Sequence, residues 1–210
     1  MKQKTVLTIL GALCFLTLAG IATTETPTYI ADSAVFLVLL ILLHITYSHW
    51  KLNPIIYTAV ILSLILHVSG VFGWYNKSPV PISWDHVTHF AAIFSFTLLF
   101  FQYARQYMDH KFSRKNFTFM FLVLLGGLGV GSIIETAEFT GFMIFGFGEG
   151  GFLFGAGDSY GGVQNITETD LNVVGGGYFN TMYDLLWNAL GAVAAIILMV
   201  AVHHRKKKKY

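Results

Sequence analysis

Three short stretches of this chain place ionisable side chains at helical spacing inside apolar surroundings. The first is Trp84-Asp85-His86-Val87-Thr88-His89-Phe90. Asp85 and His89 are four apart and share a helix face, and His86 nearly joins His89 at a spacing of three. The second is Glu135-Thr136-Ala137-Glu138, two carboxylates one turn apart. The third is Tyr183-Asp184-Leu185-Leu186-Trp187-Asn188, with Asp184 and Asn188 on one face. Adjacent carboxylates repel, so one holds a proton unless a cation lies nearby. The chemistry open to such a set is therefore a proton relay or a metal site. Mixed carboxylate and imidazole ligands suit zinc, manganese or iron better than calcium. The candidate catalytic groups are Asp85, His89, Glu135, Glu138 and Asp184. The candidate ligands of a divalent cation are Asp85, His86, His89, Glu135, Glu138, Asp184 and Asn188.

Six apolar stretches carry these groups or flank them. They run near Val6–Ile21, Ala31–Tyr47, Pro54–Trp74, Trp84–Tyr103, Phe117–Phe142 and Thr181–Val202. About 20 apolar residues span a bilayer. Alternating ten-residue segments of a β-barrel are absent. Hydrophobic residues make up 55% of the 210 and charged ones 11%, with a mean hydropathy of +0.63. A soluble fold is about 25% charged. These values exclude an ordinary soluble enzyme and a disordered chain. The expected fold is an all-α polytopic membrane protein, a six-transmembrane helix bundle in one domain, multi-pass in the cytoplasmic (inner) membrane.

Basic residues orient it. Lys2, Lys4, Lys51, Arg105, Lys111, Arg114, Lys115 and Arg205 to Lys209 fall on one side of six crossings, and only Lys77 falls on the other. The positive-inside rule then makes both termini cytoplasmic. The acidic loop residues Glu25, Asp32, Glu149, Asp158, Glu168 and Asp170 fall outside. Under this topology Asp85, His89, Glu135, Glu138, Asp184, Asn188 and also His67 all occupy the outer layer of the membrane. Three helices delivering polar pairs at one depth point to a shared, outward-open polar cavity.

Plainer roles compete at several positions. Asp85 and His86 at headgroup level cost little, and Asp85 or Ser83 suits a helix cap. Asn188 suits helix packing, as do Gly127, Gly131, Gly191 and Ala195. His44 near the inner end of the second helix fits a satisfied or headgroup-facing histidine. The first helix has a basic start and a small-residue stretch, Gly20-Ile21-Ala22, that also fits a signal peptide. The long Gly-rich stretch Gly146 to Asn180 reads as a surface loop or as a lid over the outer cavity. It has no P-loop signature. The lone Cys14 excludes an internal disulfide, and no nucleic-acid-binding motif is present.

The order D-H-x-x-H-F, then E-x-x-E, then a long loop and T-x-x-D-x-x-x-N-x-x-G-A resembles the bacterial and archaeal inner-membrane family typified by YjdF. It is similar, more distantly, to VanZ-like membrane proteins. The likeness covers helices three to six and rests on Asp85, His89, Phe90, Glu135, Glu138, Asp184, Asn188 and Gly191. Members of the first family have an aspartate before the threonine, where this chain has Asn180. If that aspartate is a ligand, one is weakened or lost here. The resemblance implies the fold and the site, and no reaction.

Three functions fit these residues. One is a metal-dependent hydrolase or transferase acting on a lipid, a lipid-linked substrate or a headgroup at the outer leaflet. Neither a serine nucleophile elbow nor HExxH is present. The second is a proton- or cation-coupled transport or binding protein. No discontinuous helix pair or inverted repeat supports it, and the inner half offers only His44. The third is a structural membrane factor whose polar core fixes helix packing.

Overall fold

The computed structural model describes residues 2–24, 26–75, 77–109, 113–145 and 176–205. They form six α-helices: α1 (Lys2–Ala22), α2 (Tyr29–Ile45), α3 (Pro54–Val68), α4 (Trp84–Ala104), α5 (Arg114–Phe145) and α6 (Gly176–Arg205). α3 continued through its final turn to Phe72, and segments within α1, α4, α5 and α6, are long and apolar enough to cross a membrane. The apolar α2, at 17 residues, is shorter.

The distribution of side chains is that of a lipid-embedded bundle. Every helix except the enclosed α4 turns large apolar side chains outward, among them Leu13, Ile41, Leu62, Phe121 and Ile197. On the inside lie Asp32, Asp85, His89, Glu135, Glu138, Asn180, Asp184 and Asn188. Water would not tolerate so much exposed apolar surface on a monomer. Hydrocarbon does, and it forces polar groups inward. The chain is an all-α polytopic membrane protein.

Local sequence sets the helix ends. Asn53 caps α3 by accepting from the backbone N–H of Ile56 at 2.9 Å, and Pro54 occupies the first turn, where its missing N–H costs nothing. The third helix was expected to reach Trp74. It ends as α-helix at Val68 and tightens into a 3-10 turn, Ser69–Phe72, closed by Gly73 in the left-handed region at φ 75°. Gly70 in this turn has no room for a side chain, because a Cβ would strike Tyr75 and Tyr29. Trp84 anchors the start of α4 by donating from its indole N–H to the Leu66 carbonyl at 3.2 Å. The last helix starts at Gly176, not near Thr181, so the end of the expected external loop is helical. Residues 146–175, which carry the proposed lid and most of its glycines, lie outside the described residues.

The helices pack as two layers. α1, α2 and α3 form one, with Phe15, Leu18 and Ala22 of α1 buried in its core. α4, α5 and α6 form the other, and α3 against α4 joins them. Small residues bring α4, α5 and α6 close. A Cβ on Gly127 would strike the Thr97 hydroxyl, and one on Gly131 would lie 2.7 Å from Nδ2 of Asn188. Gly191 lies against the α4 backbone itself, 2.6 Å from the Phe90 carbonyl oxygen to its would-be Cβ. At the opposite end of the first layer, His44 is satisfied as expected, with Nδ1 2.7 Å from the Thr8 hydroxyl.

A candidate metal centre

Helix direction brings the polar groups to one end of the bundle. Asp85 and His89 lie in the first two turns of α4, and Asp184 and Asn188 in the first half of α6. Glu135 and Glu138 lie toward the C-terminal end of α5, which runs antiparallel to both. The close α4–α6 contact at Gly191 and the notch at Gly131 then let side chains from three helices meet.

His89 is the hub. Its Nε2 is 3.4 Å from Oδ1 of Asp85 and 3.9 Å from Oε1 of Glu138. Its Nδ1 is 3.3 Å from Oδ1 of Asn188 and 3.4 Å from Oε1 of Glu135. Two buried groups of donors result, Asp85–His89–Asp184 and His89–Glu135–Glu138, each with ligand atoms within 4.8 Å of one another. Each has the donor types and spacing to hold a divalent cation. Among the described residues the ion-pair partners of these four carboxylates are histidines. Buried polar atoms without good hydrogen bonds concentrate here: both oxygens of Glu135, Nδ2 of Asn188 and Nε2 of His86. Each such atom costs about 1–3 kcal/mol when left unsatisfied, so the site is arranged to receive something.

Other expected residues take lesser places. His86 belongs to neither group. Its ring stacks on Trp187, with centroids 5.4 Å apart, and its Nε2 is 3.8 Å from Oδ1 of Asp184, at the margin of the site. Asn188 brings an amide oxygen to His89 rather than a charge. Asp85 does not cap α4: it is turned inward to His89, and Ser83 at the cap makes no side-chain cap bond. Asn180, buried, donates from Nδ2 to Oδ2 of Asp85 at 3.4 Å.

A second polar group went unread in the sequence. Asp32 was expected in an external loop. It lies instead in the first turn of α2, buried, with Oδ2 3.2 Å from Nε2 of His67. The other nitrogen of His67 is 2.8 Å from the Tyr75 hydroxyl, which is 3.2 Å from that of Thr88. Thr88 in turn donates to the Asp85 carbonyl at 2.7 Å. Burial, reinforced by Tyr29 and Asp85 nearby, holds the Tyr75 phenol well above its ordinary value, so it stays protonated. His67 and Asp32 were each visible in the sequence. Their pairing was not, because an acidic residue at a helix start looks like an end charge.

A cavity of about 220 Å³ lies between α2, α3, α4 and α5 and touches both polar groups, through Asp32 and His67 on one wall and His89 and Glu138 on the other.

These features define a class: a helical multi-pass membrane protein with a buried carboxylate–imidazole centre at one end of its bundle. Within that class the chain belongs to the family of predicted membrane proteins designated DUF2238, which it matches over residues 4–205. No curated protein and no solved structure matches it.

Proposed function

We propose that this protein is a metal-dependent hydrolase or transferase acting on a lipid or lipid-linked headgroup at the outer leaflet. The observation that supports this most is the concentration of four buried carboxylates from three helices around one imidazole. Each carboxylate in a membrane interior costs about 2.5–3.5 kcal/mol on insertion scales, an outlay that plain packing does not require. Asp85, His89, Glu138 and Asp184 are the ligands in this reading. Asn188 and Glu135 on the Nδ1 side of His89 fix the ring and leave Nε2 free to coordinate. A bound cation would polarise a phosphoester or amide and activate water. Glu135, buried and 3.4 Å from Nδ1 of His89, is the group assigned here to take or give a proton. Asn180 stands where YjdF-like relatives have an aspartate. Its amide donates to Asp85, so it orients a ligand and lowers the negative charge of the site. The kinship to YjdF-like and, further off, VanZ-like proteins is part of this proposal. The test is elemental analysis of protein purified without chelator, paired with headgroup release from vesicle lipids before and after metal removal. Near-stoichiometric zinc, manganese or iron with metal-restored turnover supports the proposal. Absence of metal that adding it back does not cure removes it, and moves the choice to a proton-coupled carrier built on the same carboxylates.

The six-crossing topology with both termini cytoplasmic belongs to this reading, because it sets the site in the outer leaflet. A cysteine placed at Gly161, in a background without Cys14, is expected to react with an impermeant thiol reagent in intact cells. Reaction only after the membrane is broken would put the site on the inner side.

Gly131 gives a finer check. In Gly131→Ala the new Cβ would lie 2.7 Å from Nδ2, 3.0 Å from Cγ and 3.2 Å from Cβ of the buried Asn188, so that side chain must shift. The fold is expected to persist while His89 loses its amide partner. Metal affinity should fall about 10-fold or more, the usual cost of losing an outer-shell partner, as read by competitive metal titration.

A further inference from the structure

The cavity between the two helix layers has a polar end and an apolar end. Along α2 it is lined by Asp32 and then by Leu39, seven residues on and about 10 Å away at 1.5 Å per residue. Along α4 it is lined by Thr88 and His89 and then by Phe96. Along α5 the order reverses with helix direction, from Val130 to Glu138, about 12 Å. Three helices therefore grade the cavity in the same direction. At the polar end the two titratable pairs face each other across it, Asp32 with His67 and Glu138 with His89.

Two lining residues also stand on the outer surface. Val35 is 45% and Ile133 is 69% exposed, and both border the cavity. Its mouth therefore opens sideways, between α2 and α5, onto the surface these helices turn to lipid. In the membrane topology proposed above, the acyl region of the bilayer lies outside that mouth. A hollow of about 220 Å³ has room for part of a hydrocarbon chain.

We propose that this cavity is a lateral chamber for a single acyl chain of a membrane lipid. The lipid enters between Val35 and Ile133, lays its chain against Leu39, Leu64, Phe96 and Val130, and brings its head to the polar end between His67 and His89. The proposal rests on the lipid-directed reading above and specifies its substrate site. The Asp32–His67 pair becomes a substrate-facing wall opposite the metal centre. The head polar group would then lie beside the Asp32–His67–Tyr75 chain, whose imidazole is held through both of its ring nitrogens.

The test uses full-length protein in nanodiscs containing phosphatidylglycerol with a diazirine midway along one acyl chain. Illumination and peptide mapping read where the chain lies, and metal content is measured on the same samples. Cross-links are expected on Leu39, Leu64, Phe96 or Val130, competed by untagged lipid. Ala92→Trp and Val130→Trp, which fill the chamber from two helices, should each lower this labelling about tenfold, equivalent to about 1.4 kcal/mol. Leu186→Trp, on the exposed face of α6, should leave it unchanged. Either filling variant suffices if the other fails to fold. Labelling spread evenly over outward residues such as Leu186 and Ile197, and indifferent to both filling variants, would overturn the chamber. Metal bound without chamber labelling would sink this inference and spare the metal site. Chamber labelling without metal would do the reverse.

Discussion

Glu138→Gln combined with Asp184→Asn is expected to abolish metal retention. Wild-type protein purified without chelator should carry close to one divalent cation per chain. The double variant should lose affinity by at least about 100-fold, more than the 10–100-fold typical of an outer-shell change, because two ligands go. The two residues come from α5 and α6, one from each donor group around His89. Replacing both by amides keeps shape and removes two charges from a buried set of four carboxylates. If the carboxylates are instead neutralised by protons, the swap changes no metal content and should stabilise the protein at neutral pH, because an amide is neutral without the cost of taking up a proton. The two outcomes have opposite signs in thermal stability with metal present. A metalloprotein loses the binding energy that metal adds to the folded state. Inductively coupled plasma analysis and a melting curve on the same samples decide it.

The largest structural effect should come from Gly191→Ala. An added Cβ would lie 2.6 Å from the Phe90 carbonyl oxygen and 3.1 Å from the Phe94 nitrogen. Both are backbone atoms of α4, so no side chain can swing away. Overpacking of this kind costs about 1–3 kcal/mol, and in a chain of this size lowers the melting temperature by about 2–12 °C. The damage should reach the metal centre, because the α4–α6 contact holds His89 and Asp184 on facing helices. The contrast is Gly129→Ala. Nothing lies within 4 Å of that Cβ, and helix propensity favours alanine by up to about 1 kcal/mol. That variant should melt at or above the wild-type temperature. Equal effects at the two positions would mean that the α4–α6 approach is not what assembles the site.

Both expectations depend on an assembly that the sequence shows only in part. The polar pairs on helices four, five and six were legible because a charge in an apolar run is conspicuous, and helical spacing assigns it a face. Their common end of the bundle followed from counting crossings. The roles within the set did not follow. His86 and His89 look equivalent in the string. Only packing turns His89 into the hub and stacks His86 on Trp187 at the margin. Asn180 read as a lost ligand, and the fold makes it a donor to Asp85.

By itself, then, the sequence determined what each helix must do with its own residues. Apolar length and low charge made it a membrane bundle, and the periodicity of the α-helix sorted the polar residues into pairs, because both properties are local. Tertiary structure decided which pairs meet. Asp32 reaches His67 across 35 positions of chain, and His89 reaches Asn188 across 99. The cavity joining the two groups is bounded by four helices, with no single segment containing its outline. Such distances are set by how closely backbones approach at Gly127, Gly131 and Gly191, and a glycine in a sequence does not say which neighbour will occupy the space it leaves.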